Sequence, residues 1–214
     1  MKKSMFRRLS PALALATVLG AGMASLLPAA QAADQAADKA NVRGKVVTLA
    51  GNALVVASRD GKKLNITLAE GWKVAGVSRA SMADIKPGAF VGIASLPKAA
   101  GGDGALEVLV FPPAMKGLGE GSYAWDLKPN SNMTNATVAN AVKDVDGHSV
   151  TVSYHGKEKK IAIPDGTPIV TLGPATPGDL KPGAVVFVPA MKDARGGLVA
   201  QQVVVGTNGV VPPM

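Results

Sequence analysis

A repeat constrains this chain more than any other feature. Asp84-Ile85-Lys86-Pro87-Gly88 returns as Asp179-Leu180-Lys181-Pro182-Gly183, an interval of 95 residues. Gly61, Ile66, Val74, Ala105 and Val108 return at the same interval as Gly156, Ile161, Ile169, Ala200 and Val203. Self-similarity at a fixed period marks one structural unit used more than once. Residues 42–111 are read as one module and residues 137–206 as the second. What both copies share is scaffold. What one copy alone has, or what lies between them, is where a specific task would sit.

Each copy is a series of short apolar runs separated by turn residues. In the first, residues 42–49 meet 53–58 across Ala50-Gly51-Asn52, and Arg59-Asp60-Gly61 turns into 62–68. Asp-Gly between β-prone runs is a hairpin signal, because the turn needs positive φ. The second copy has Asp146-Gly147-His148 and His155-Gly156-Lys157 at those places. Leu64, Ile66 and Leu68, then Ile161 and Ile163, alternate as a half-buried strand does. Pro87-Gly88 and Pro182-Gly183 supply a tight turn before a further strand. About five short strands with no long helix predict an all-β chain of two tandem small OB-like barrels, with a small sandwich as the alternative. Modules of roughly 70 residues bury little core. The copies are therefore expected to lean on one another or on a second chain.

The N-terminus reads as a secretory signal over residues 1–32. Lys2, Lys3, Arg7 and Arg8 precede an apolar run, and Ala30-Gln31-Ala32 fits a small-x-small cleavage site before Ala33. Residues 33–41 are expected to be a flexible leader, and 207–214 a tail. The expected compartment is the periplasm. No later stretch is long and uncharged enough for a transmembrane helix. The chain has no cysteine, so no disulfide contributes to the fold. The formal net charge is +8, and removing the four basic signal residues leaves 8 − 4 = +4. That mild charge, with few aromatic residues, argues against a nucleic-acid partner.

With these motifs the chain resembles an exported bacterial family of unknown function with a duplicated OB-like barrel domain. The residues that carry the resemblance are Gly44, Val46, Leu49, Gly51, Asn52, Leu54 and Val56, then Asp60-Gly61, Asp84 to Gly88, Ala105 and Val108. In the second copy Asn140 takes the place of Gly44 and His148 that of Asn52. The segment from Trp125 to Val138 is similar to a two-module subfamily whose members sometimes bear the label metal transporter permease. The resemblance implies a fold and a compartment, and no activity or catalytic residue.

The connector, residues 112–136, is expected to be ordered, and it holds the main candidate site. Tyr123 and Trp125 sit among Asp126, Asn130, Asn132 and Asn135 in a chain poor in aromatics. Such a mix suits a cleft that binds a small polar ligand. The plainer reading is a strap whose Trp125 plugs the gap between the barrels. A metal site, with copper in mind, is the alternative use of Met115, Met133 or His148, since thioethers suit Cu(I). His148 and His155 otherwise read as turn residues. Asp144-Val145-Asp146-Gly147 faintly resembles a calcium loop but lacks the distal Glu. Lys62, Lys63, Lys157, Lys159 and Lys160 form basic tips for weak contact with anionic surfaces, or guard a strand edge.

No nucleophile motif, zinc motif or phosphate loop is present. The function expected is therefore non-enzymatic and cofactor-free: a periplasmic binding or assembly module of the cell envelope, with an envelope protein or small ligand as partner and with oligomers open. Metal binding is the alternative and a hydrolase a distant third.

Overall fold

Period-two alternation dominates the chain, and it folds as strands. The computed structural model describes residues 39–99, 101–144 and 147–212. The expected signal, its cleavage site and residues 33–38 lie outside them, as do Val145 and Asp146 of the calcium-like turn and the last two residues of the tail. The strands are β1 (Lys39–Ala50), β2 (Ala53–Ser58), β3 (Lys63–Arg79), β4 (Phe90–Pro97), β5 (Asp103–Val110), β6 (Gly121–Trp125), β7 (Ser131–Asp144), β8 (Gly147–Tyr154), β9 (Lys157–Pro164), β10 (Ile169–Pro174), β11 (Val185–Lys192) and β12 (Leu198–Gly206). Three short 3-10 turns complete the order, and the described residues contain no α-helix.

The all-β expectation and the small closed barrels hold, but the repeats do not each close their own. β1, β2 and β3 form a meander. β3 then pairs in parallel with β12, β12 with β11, and β11 with β1. That ring of five strands takes three from the first copy and two from the second. The other ring is its counterpart: β7–β8–β9, then β5 and β4, closing on β7. The cores follow the same division. Leu54, Val56, Ile66 and Leu68 pack with Val186, Val188, Val203 and Val205. Ile93 and Val108 pack with Val138, Val150, Val152, Ile161 and Ile163. The module boundaries read from sequence are thus units of duplication, and the barrels are units of exchange.

β3 explains the exchange. Its first half pairs with β2 and β12, and its second half stays on β12 through Val77 while its other edge takes β10 of the second copy. The chain bends at Gly71, at φ 70°, where the β12 ladder passes from Leu68 directly to Lys73, and from the far end of β3 it goes on to β4 in the other barrel. A third cluster fills the space between the barrels: Val77, Leu109, Val170, Phe187, Val204 and Val210, with Phe111, Trp125 and Leu172 against it.

Two local expectations shift. Strand β1 begins at Lys39, within the expected leader, and pairs with Met191. The second copy's first hairpin is also longer. Val42 pairs with Val188 in one barrel, and the equivalent of Val188, Ile93, pairs with Thr134 in the other. Since 134 − 42 = 92, β7 matches β1 at an interval of 92. Gly44 is therefore matched by Ala136, not Asn140. His148 lies within β8 opposite Lys143, two rungs from the turn. His155 does hold a left-handed turn, at φ 46°.

Candidate functional site: an aromatic-walled cleft under the connector

β6 is an added strand. It pairs with the first part of β7, Gly121 opposite Asn135 and Trp125 opposite Ser131. Alternation puts Tyr123 and Trp125 on one face and the small Ser122 and Ala124 on the other. The two rings meet edge-on, centroids 6.2 Å apart. A tight turn leads into β7. Asn130 supplies a left-handed residue at φ 61°, and the Ser131 hydroxyl donates to the Trp125 carbonyl at 2.9 Å.

The ring face of Trp125 meets β1 and β11. Arg43, opposite Phe187 in the ladder, lays its guanidinium 5.7 Å from the Trp125 centroid and 5.1 Å from that of Phe187. The same guanidinium donates to the Asp126 carboxylate at 2.7 Å, and the Asn41 amide donates to that oxygen at 3.1 Å. The Arg43 side chain is only 10% exposed, so the pair works in a screened place where a planar cation between two rings is favoured. Burial raises the Asp126 pKa, but the hydrogen bonds from Arg43 and Asn41 outweigh it, and the carboxyl titrates below its ordinary value.

Beside this lock lies a cleft of about 520 Å³, walled by Lys39, Asn41, Gly119, Glu120, Tyr123, Trp125, Pro189, Ala190 and Met191. Trp125 is half-buried. Its indole nitrogen is shielded from solvent and has no hydrogen-bond partner among the described residues, an unusual state for a buried indole N–H. Tyr123 and Met191 are each 42% exposed. Burial pushes the Tyr123 phenol up, so it is a neutral hydroxyl at ordinary pH. A second cleft, about 530 Å³, adjoins the first along Ala40 to Arg43 and is bordered by Ser58, Asp60, Leu64, Leu127 and Leu198.

Of the residues singled out in sequence, Tyr123 and Trp125 line the cleft, while Asp126 holds Arg43 and Asn41 and borders the second cleft. The asparagines do other work. Asn135 is buried and donates to the Leu118 carbonyl and the Tyr123 hydroxyl. Asn130 makes the turn, and Asn132 sits in the β7 ladder opposite Ser95 and Ala124. Arg43, Asn41, Lys39 and Met191 were invisible as site residues, because they come from β1 and β11, which only the strand exchange brings together beside the connector; Glu120 lies in the connector itself and was not singled out.

The metal set does not assemble. Met133 is buried between Ala94 and Tyr123 in register. His148 faces Lys143, ten residues further along β7, roughly 30 Å of strand. Met115 stays in a 3-10 turn of the connector. Among the described residues no three His, Asp or Glu side chains gather as a metal site. The basic tips also divide. Lys62, Lys63, Lys157 and Lys160 are exposed, with Lys62 3.2 Å from Asp60. Lys159 is half-buried and paired with Asp103 of the other repeat, so it belongs to the barrel seam. No described helix is long and apolar enough to cross a membrane.

Comparison with known proteins finds no family model, no curated protein and no solved structure that matches this chain.

Proposed function

We propose that this is a non-enzymatic binding or assembly module of the cell envelope, exported to the periplasm, whose cleft under the connector takes a small polar ligand. The observation that carries the reading is Trp125: half-buried, locked on one side by Arg43 and Asp126, and presenting the rest of its indole to a cleft of about 520 Å³. A tryptophan that served only as a plug would be sealed on every side. Here an exposed tyrosine edge, an ammonium at Lys39, a carboxylate at Glu120 and an amide at Asn41 share the wall with it. Rings give a flat apolar face, and the polar rim fixes orientation. The basic N-terminal run and the Ala-Gln-Ala site support the compartment, and the motif resemblance supports an exported family.

Native mass spectrometry of the protein purified gently from cell envelope extracts tests this. The expected result is a small retained mass that disappears in Tyr123→Ala while the protein stays folded by circular dichroism, with a modestly lower melting temperature from the lost Trp125 and Asn135 contacts. A bare polypeptide mass in both proteins, unchanged after incubation with soluble envelope extract, would overturn the ligand reading.

A further inference from the structure

The two barrels are near-copies, yet among the described residues only one edge is filled. In the second barrel, β7 is flanked along one edge by β8 over residues 137–144 and by β6 over 131–135. In the first barrel, β2 flanks β1 over residues 44–50, and among the described residues no strand continues beside 39–43. The interval of 92 makes Lys39, Asn41 and Arg43 the counterparts of Ser131, Met133 and Asn135, which β6 covers. We infer that this open edge of β1 receives an extended segment of a partner protein, added as a sixth strand in the way β6 is added to β7. The inference deepens the assembly side of the reading above and rests on it.

The backbone is set for this. The Arg43 carbonyl accepts from the Arg59 N–H on the β2 side, while the Val46 N–H donates to Ala184 towards β11. Alternation therefore turns the N–H and C=O of Lys39 and Asn41 into the empty place. The place is the cleft of about 530 Å³ along Ala40 to Arg43. Leu64, Leu198 and Leu127 line it, so a side chain pointing inward meets apolar surface. Unpaired edges recruit strands from other chains, with main-chain bonds giving affinity and alternate side-chain pockets giving selectivity. The chain's own β6 shows what fits: a short strand of alternating small and aromatic residues. Residues 33–38 hold only Ala, Asp and Gln, which strands disfavour, so the occupant is a separate chain with β-prone residues.

The probe is a synthetic peptide with the sequence of residues 120–126, titrated into the mature protein and followed by backbone amide NMR. The expected result is saturable shifts at Lys39, Asn41 and Arg59. N-methylation of the peptide at its tyrosine, the position that pairs with Asn41 by analogy with Tyr123 and Met133, should weaken binding about tenfold or more by removing a paired backbone bond. Asn41→Pro should do the same from the protein side and Asn41→Ala should not; the methylated peptide keeps the test decisive if the proline variant fails to fold. Absence of shifts, or equal binding of the methylated peptide, would overturn the slot. Shifts at Tyr123 and Trp125 with none at Asn41 would also overturn it, while leaving the cleft reading intact. Binding gained only after residues 33–38 are removed would assign the slot to the chain's own N-terminus and overturn the partner.

Discussion

Val77 and Leu172 face one another across the β3–β10 ladder, and each is the other's counterpart in the repeat. Ala75 faces Pro174 and Arg79 faces Val170 about the same centre. A local twofold axis therefore passes between Val77 and Leu172, and the two copies embrace around it as partners do in a strand-swapped dimer. The duplication placed inside one chain what two identical chains would otherwise share.

The exchange has a direct consequence for fragments. Residues 39–111 hold three strands of one barrel and two of the other, so neither core can close. Expressed alone, this piece should show no folded monomer by circular dichroism and size exclusion. Mixed with residues 112–212, it should recover a cooperative unfolding transition.

Trp125 links the connector to that shared wall. Trp125→Ala should lower stability by about 2–3 kcal/mol, below the range for a fully buried tryptophan because the ring is half-exposed. Urea denaturation measures this. A double-mutant cycle with Arg43→Ala should show a coupling of about 0.5–1 kcal/mol from the guanidinium over the ring.

Close approach, rather than a special φ, dictates Gly206, as it does Gly44. A Cβ on Gly206 would sit 1.7 Å from the Val210 carbonyl oxygen, where the C-terminal segment folds over β12. Gly206→Ala should cost about 1–3 kcal/mol through displaced backbone, read as a lowered urea midpoint.

Acid should destabilise the protein in part through a matched pair of turns. The Ser81 N–H and hydroxyl both donate to Asp84, at 2.8 and 2.9 Å, and Thr176 does the same for Asp179 at 2.8 and 2.9 Å. Backbone hydrogen bonds, then the hydroxyl bonds, hold both carboxyls below the ordinary value. A depressed carboxyl pKa adds stability above its unfolded value, about 3.9, and that stability is lost as pH falls through the folded value. Melting temperature should fall below about pH 4, and the fall should be shallower in the Asp84→Asn, Asp179→Asn double variant.

The strands were legible because alternation and Asp-Gly or Pro-Gly turns are local signals. Tyr123 and Trp125 were legible because they are rare side chains in a stretch that the repeat leaves unmatched. Barrel membership was not. Thr67 of β3 has two equivalent strands to choose from, at Val199 or at its repeat equivalent Gly104, and nothing in either edge prefers one. The choice is made further along, where β3 bends at Gly71 and its second half pairs with β10 of the other copy. The four-residue difference in the first hairpin was hidden too, because Val42 and Val138 align well by eye while the ladders match Val46 with Val138. Arg43 could not be seen as the lock on Trp125, since its partners lie 83 and 144 residues away and are joined only by β1–β11 and the connector.

Crosslinking decides the exchange most directly, since the chain has no cysteine of its own. Thr67 and Val199 are register partners in the parallel β3–β12 pair, at the Cα spacing of neighbouring strands, which suits a disulfide. Thr67→Cys with Val199→Cys should form an intramolecular disulfide on mild oxidation, and Thr67→Cys with Gly104→Cys should not. The reverse pattern, a bond to position 104 and none to 199, would mean that each repeat closes its own barrel and would contradict the account.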